Sequence, residues 1–263
     1  MGIRYSVWKI EITLKRFRSD LHVHTVLSPC AEIEMLPPLI ITEAISRGIN
    51  LIAITDHNAS GNIEAVQKAA SGTDLTVLPG MELQTKEEVH VLCLFDTLEQ
   101  IREFQLFVDE KLPGIKNRPD YFGEQLFVDE TGDFKRIEER LLITSASLTL
   151  EEAYLKVSEL GGILIPAHVN RKANGLLEIL GFIPENIPFI ALEISRHLSP
   201  QQAKDKFPEL NSYTLIQNGD VHRLSEFIGT TVFEIEEPTI QELSLALRNL
   251  ERRTFFIEPI QNE

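Results

Sequence analysis

The stretch Phe17-Arg18-Ser19-Asp20-Leu21-His22-Val23-His24 decides how this chain reads. It predicts a β-strand, and the period of two along a strand puts the imidazoles of His22 and His24 on one face. Downstream, short β-like runs recur at 51–55 (LIAIT), 76–78 (TVL), 89–95 (VHVLCLF), 162–165 (GILI), 189–194 (FIALEI) and 213–217 (YTLIQ). Helical patterns fall between them at 37–47, 62–70, 98–111, 150–160, 173–180 and 239–249. Thr149 with Glu152 reads as a capping box opening one of these helices, and Gly161-Gly162 ends it. Such alternation predicts an α/β fold with a largely parallel sheet. About seven strands with intervening helices favour a barrel over an open sheet.

The rhythm breaks over residues 96–148, which hold no histidine, a Pro/Gly loop at 112–123 (LPGIKNRPDYFG) and a predicted hairpin around Thr131-Gly132-Asp133. The hexapeptide QLFVDE occurs at 105–110 and again at 125–130. The first copy looks helical and the second precedes a turn, so the pair reads as coincidence and not as a repeat. We expect one domain over 1–263, with 96–148 inserted as a cap beside the barrel mouth, where long barrel loops shape access.

The chain has 263 residues, 43% apolar, with 25 basic and 40 acidic side chains for a net charge of −15. That length and apolar content suit a sizeable core and exclude general disorder. No apolar run reaches the roughly 18–20 residues of a membrane span. The amino-terminal segment lacks the continuous apolar stretch of a signal peptide. Residues 1–6 fit the loose myristoylation pattern, but one so short arises readily by chance. Two cysteines, Cys30 and Cys93, make no disulfide framework, so a reducing, cytoplasmic setting is expected. The acidic balance predicts repulsion of phosphate backbones, hence no extensive nucleic-acid partner.

Placement makes the histidines informative. His57 follows the LIAIT run, Glu82 the TVLPG run, His168 the GILIPA run, and Asp220 with His222 the YTLIQNG run. His90 is the awkward member, because it comes early in its run. In an α/β barrel the carboxyl ends of the strands converge on one mouth. A lone histidine is ordinarily explained by a local hydrogen bond. Six histidines and two carboxylates at equivalent positions point to a multinuclear metal site. Neutral imidazole with carboxylate suits zinc, iron(II) or manganese.

Asp20-Leu21-His22-Val23-His24, Thr55-Asp56-His57, Gly80-Met81-Glu82, His90, Ala167-His168 and Gly219-Asp220-Val221-His222 resemble, in that order, the successive motifs of the PHP (polymerase and histidinol phosphatase) superfamily. The resemblance implies a distorted seven-stranded β/α barrel whose two or three divalent ions hydrolyse phosphoesters. It implies that His22, His24, Glu82 and Asp220 hold a first ion, and that Glu82 bridges to a second held by His90 and His168. His57 and His222 would bind a third. Its remaining ligand would come from the loop after His24, where Cys30 stands in place of the commoner aspartate or histidine. Glu32 and Glu34 are alternatives, and a structural thiol is the plain reading of Cys30.

Asp20 and Asp56 neighbour ligand-type histidines and are expected to fix their tautomers. Arg171, Arg196 and His197 are expected to contact substrate near the mouth. Glu193 reads as an inner structural carboxylate and Cys93 as core. The expected activity is hydrolysis of a phosphomonoester or small phosphodiester by a metal-bridging hydroxide, with no side-chain nucleophile. The alternatives are an exonuclease acting on DNA or RNA ends and a metal-stabilised binding module without catalysis. Oligomeric state is not legible.

Overall fold

Parallel pairing begins where the sequence first alternates. In the computed structural model, which describes residues 13–259, β1 (Lys15–Val23), β2 (Leu51–Ile54) and β3 (Thr76–Gln84) lie side by side and parallel. The 1–6 lipidation pattern lies outside the described residues. β4 (His90–Leu94) turns back antiparallel on β3, with His90 opposite Gln84. β5 (Leu126–Val128) and β6 (Phe134–Ile137) form a separate hairpin, and β7 (Ile163–Pro166) pairs antiparallel with β4. β8 (Leu192–Ile194) and β9 (Leu215–Gln217) are a short parallel pair. β10 (Thr231–Ile235) and β11 (Thr254–Ile257) extend the sheet beyond the amino half of β1.

The continuous sheet is therefore β11-β10-β1-β2-β3-β4-β7, mixed α/β and curled. The expectation of a largely parallel sheet needs correcting, since among its ladders only β1–β2 and β2–β3 are parallel. Single backbone bonds carry the curl onward to β8 and β9. Val169 N–H donates to Glu193 O at 2.9 Å, linking the end of β7 to β8. Val221 N–H donates to His22 O, and His24 N–H to Val221 O, each at 2.9 Å, bringing the segment after β9 back against β1. The strands of this distorted barrel are β1, β2, β3, β4, β7, β8 and β9, which correspond to the runs read in the sequence.

Two apolar clusters divide the sheet. Leu21, Leu51, Ala53, Leu78, Leu92 and Ile165 belong to one, while Ile52, Ile54, Val77, Val91 and Cys93 pack with the helices in the other. The register of β1 against β2 shifts between Asp20 and Val23. Such a bulge re-aims side chains. Here Leu21 stays in its apolar cluster while His22, next in sequence, faces the Glu82 carboxylate.

Helices connect the strands: α1 (Pro37–Ser46), α2 (Ile63–Ala69), α3 (Leu98–Asp109), α4 (Pro119–Phe122), α5 (Leu150–Glu159), α6 (Leu176–Leu180), α7 (Pro200–Lys206) and α8 (Ile240–Leu247). The capping box at α5 forms as its residues require: Glu152 N–H donates to Thr149 Oγ1 at 3.2 Å, and Thr149 N–H to the Glu152 carboxylate at 2.8 Å. The helix expected over 173–180 shortens to α6, because Asn174 is left-handed (φ 60°). Among the described residues no helix is long and apolar enough to cross a membrane.

Residues 96–148 carry α3, α4 and the β5–β6 hairpin. The hexapeptide copies do separate, one within α3 and the other running through β5. This segment is stapled to the loop after His24: Leu126 N–H donates to Val26 O at 2.9 Å, and Asn62 bonds both Leu126 O and Val128 N. Gly123, at φ 101°, lies so close to Pro29 that a Cβ would sit 2.0 Å from its carbonyl oxygen. Gly123→Ala combines that clash with left-handed strain. It should lower unfolding free energy by about 2–3 kcal/mol in a denaturant titration. An unchanged midpoint would mean that this contact does not hold the segment in place.

Candidate metal centre

Glu82 is the hub. Its strand continues through Pro79-Gly80 to the barrel mouth, and its carboxylate is wholly buried. Oε1 lies 2.7 Å from His90 Nδ1, 3.1 Å from His168 Nε2 and 3.3 Å from His22 Nε2. Oε2 lies 2.8 Å from His57 Nδ1 and 3.4 Å from His24 Nε2. Asp220 closes the other side, its Oδ1 being 3.4 Å from His22 Nε2, 3.6 Å from His24 Nε2 and 3.3 Å from His222 Nδ1. The His222 ring stacks on His24 at a centroid distance of 4.0 Å. His90 is awkward no longer. Its strand is antiparallel, so the start of β4 lies at the same mouth as the carboxyl ends of the parallel strands.

Local backbone requirements serve this arrangement. His168 (φ 30°) and Asp220 (φ 50°) both hold left-handed conformations, which cost a non-glycine residue about 1–3 kcal/mol. Asp20 does not touch a ligand-type imidazole, contrary to expectation. Its oxygens accept from Gly219 N–H at 2.9 Å and Ile228 N–H at 3.1 Å, anchoring the turn that presents Asp220. Burial raises its carboxyl to about 6 despite those bonds. Gly219 is required there because a Cβ would meet Glu226 O at 2.4 Å. Asp56 acts at one remove. It accepts from Ser28 Oγ at 2.7 Å, and Ser28 Oγ lies 2.9 Å from His24 Nδ1.

Burial opposes ionisation of Glu82, yet His90, His57 and His22 hold its carboxyl well below the usual range. His22 rises well above an ordinary histidine because Glu193, Glu82 and Asp220 outweigh its burial. His24 falls well below, through burial and the neighbouring His222 and His57. His90 falls to about 4, burial outweighing Glu82. Cys30 is exposed at the rim and is no buried structural thiol. His57 and His222 beside it overcome desolvation and bring the thiol down to about 6.

The donors fit metal ions. His22 Nε2, His24 Nε2, His57 Nδ1, Glu82 Oε2 and Asp220 Oδ1 are buried without a hydrogen-bond partner. Each such orphan costs about 1–3 kcal/mol unless a ligand satisfies it. Three sets bring their donor atoms within 4.8 Å of one another: His22/His24/Asp220, His57/Glu82/His90 and His24/His57/His222.

The cluster opens into a cavity of about 1130 Å³. Arg171 and His197 line it, and so do Lys172, Lys206 and Arg223, which the sequence reading passed over. Arg171 Nη1 donates to Asp220 Oδ2 at 2.5 Å. Arg196 lies on the same wall, bound to Gly219 O at 2.7 Å and to Glu226 at 2.8 Å. Glu32 pairs with Arg223 at 2.6 Å. From the 96–148 segment, Ile143 reaches the wall. Ser28 and Glu193, which contact His24 and His22, were not singled out as site residues, because nothing in spacing alone ties them to those rings.

Residues 20–197 match the model of the PHP domain family. The chain is 24% identical to Bacillus subtilis (strain 168) YqxK over 273 residues, covering 91% of this chain and 64% of that protein. Among solved structures it resembles the lesion-specific endonuclease PfuEndoQ from Pyrococcus furiosus, with TM-score 0.68 and 21% identity, covering 92% of this chain and 58% of that one. It resembles to a similar degree endonuclease Q in complex with a 27-mer duplex bearing an abasic lesion at the active site, with TM-score 0.70, 21% identity and the same coverage of 92% and 58%. A two-domain Bacteroides vulgatus protein containing a predicted PHP-like metal-dependent phosphoesterase matches with TM-score 0.54 and 14% identity, over 98% of this chain and 70% of that one. The chain thus spans under two thirds of YqxK and of endonuclease Q.

The expectation that nucleic acid is disfavoured is overturned by the endonuclease Q complex, a chain of this fold holding duplex DNA. The physical reason is that net charge is an average. The −15 belongs to the whole surface, while Arg171, Lys172, Arg196, Lys206 and Arg223 gather on the cavity wall.

Manganese or zinc should raise the melting temperature of metal-free protein, because binding to the folded state alone stabilises by about 2.7 kcal/mol at a hundredfold excess over Kd. Glu82→Gln should remove most of that rise and lower bound metal by more than one equivalent, as read by elemental analysis. No metal-dependent rise in the unaltered protein would count against the donor assignment.

Proposed function

The chain belongs to the PHP domain family, and from that premise we propose that it is a metal-dependent phosphodiester hydrolase acting on a nucleic-acid strand. The observation that carries this reading is the joining of a buried His/Glu/Asp cluster to an open, cation-lined cavity. The likeness to endonuclease Q supports the polymer substrate.

In this reading His22, His24 and Asp220 would hold one divalent ion, and Glu82, His90 and His168 another. His57, His222 and Cys30 would hold a third. Bound divalent ions supply Lewis acidity toward a phosphoryl oxygen and an activated water. The chain's own residues do the rest. Arg171, fixed by Asp220, presents a guanidinium to the scissile phosphate, and His197 contacts the leaving oxygen. Arg196 keeps the Gly219 turn in place through Gly219 O and Glu226. Lys172 and Lys206 face flanking phosphates. Ser28 is wholly buried and donates to Asp56, so it is no nucleophile.

The test compares oligonucleotides, with and without an abasic lesion, against p-nitrophenyl phosphate and bis-p-nitrophenyl phosphate in protein loaded with manganese or zinc. Oligonucleotide cleavage should dominate. Lys172→Ala with Lys206→Ala should raise oligonucleotide KM about tenfold at low salt and flatten its salt dependence. The same variant should leave p-nitrophenyl phosphate turnover within about twofold. Turnover confined to the small esters would refute a polymer substrate.

Cys30→Ser should lose about one equivalent of bound zinc while the His22/His24 position stays filled. Chelation should expose the Cys30 thiol to alkylation in the unaltered protein. Unchanged zinc content, together with alkylation indifferent to metal, would remove Cys30 from the ligand set.

A further inference from the structure

Glu193 sits on β8, is wholly buried, and forms no part of the cavity wall. Both of its carboxylate oxygens face His22 Nδ1, at 3.0 and 3.2 Å. Among the described residues its side chain makes no other hydrogen bond or ion pair. A carboxylate buried in this way is costly, and an apolar residue of similar size would often serve packing better. Its single contact is with the ring atom of His22 that points away from the cluster.

We propose that Glu193 is a positioning residue that holds His22 as its Nδ1–H tautomer, so that the Nε2 lone pair is delivered to the metal centre; this rests on the metal-binding reading above. Nε2 is the atom it must leave free. It lies 3.3 Å from Glu82 and 3.4 Å from Asp220, is buried, and has no hydrogen-bond partner. A carboxylate can only accept, so the proton between Glu193 and His22 resides on Nδ1 whenever the ring is neutral. The negative charge also strengthens Nε2 as a donor.

His24 is served differently. Its Nδ1 faces Ser28 Oγ, whose proton goes to Asp56, so a relay through a neutral hydroxyl does there what a direct carboxylate does at His22. The pair His22 and His24 therefore presents both Nε2 atoms toward Glu82 and Asp220, with the stronger support under His22.

The experiment compares Glu193→Leu and Glu193→Gln with unaltered protein by equilibrium dialysis against manganese and zinc. In parallel, 15N spectra of the metal-free proteins, recorded at a pH high enough for the His22 ring to be neutral, report its tautomer. Glu193→Leu should weaken one equivalent of metal by about 10–100-fold and leave the others within a fewfold. It should also move His22 away from a pure Nδ1–H tautomer. Glu193→Gln keeps an acceptor but drops the charge, so its affinity should fall between the two and keep the proposal testable if the Leu variant does not fold. A merely structural role predicts the reverse: a lower melting temperature with unchanged affinity and tautomer, which would overturn the proposal. If unaltered protein binds no metal, the metal-binding reading fails, and the delivery of Nε2 to an ion fails with it. If unaltered protein loads normally and the variants match it in affinity and tautomer, only the role of Glu193 fails.

Discussion

A single carboxylate buried among five imidazoles sets the terms for the rest of this structure. Glu82 has no solvent contact, and its two oxygens are approached by His22, His24, His57, His90 and His168. An isolated buried carboxylate is untenable at neutral pH unless cations or donors surround it. The histidines supply that compensation only in part, because His24 is driven toward neutrality by burial, His222 and His57, and His90 by burial, His57 and His168. A cluster that is acidic at its centre and rich in buried donor atoms without partners is one that divalent cations complete.

Holding that cluster requires concessions elsewhere. Two of its members accept left-handed backbone, and the turn carrying Asp220 is tied down by Asp20 from below and Arg196 from the side. Arginine suits that second tie, since one guanidinium bonds a backbone carbonyl and a carboxylate at once. Strain of this kind persists only where surrounding contacts over-determine it. The buried carboxylates Asp20, Asp56 and Glu193 each spend their oxygens on groups that orient a donor, directly or through a turn.

Six of the seven barrel strands were legible as short apolar runs, and β1 by its alternation. Their directions were not. A run such as 89–95 carries no mark of whether it runs with or against its neighbour, and His90 looked misplaced until β4 proved antiparallel. Pro79-Gly80 reads as a stop, yet β3 continues through it, because Pro79 O still accepts Phe95 N–H at 2.9 Å and Gly80 fits closely beneath Thr55 and Leu94. β10 and β11 escaped notice because their residues alternate weakly and complete the outer edge of the sheet rather than the mouth. For the site, motif spacing gathers the His, Glu and Asp side chains, which lie on strand ends. Asp20 looked like an imidazole partner from sequence adjacency, but the β1 bulge turns it toward the Gly219 turn. Glu193 comes from a distant strand, so its contact with His22 exists only after the barrel curls.

Charge was the most misleading signal, because a net value says nothing of where the charges lie. A net −15 spread over the body repels phosphate at long range, but screening confines such repulsion to about a Debye length, roughly 8 Å at physiological salt. Inside a cleft, low-dielectric walls focus the field of nearby side chains and the average loses its authority. Cations share this wall with Glu82 and Asp220, whose charge is offset by imidazoles and would be reversed locally by divalent ions. In the proposed reading, an acidic body would disfavour a phosphate backbone on the outer surface and leave the cations of the cavity wall as its place of contact.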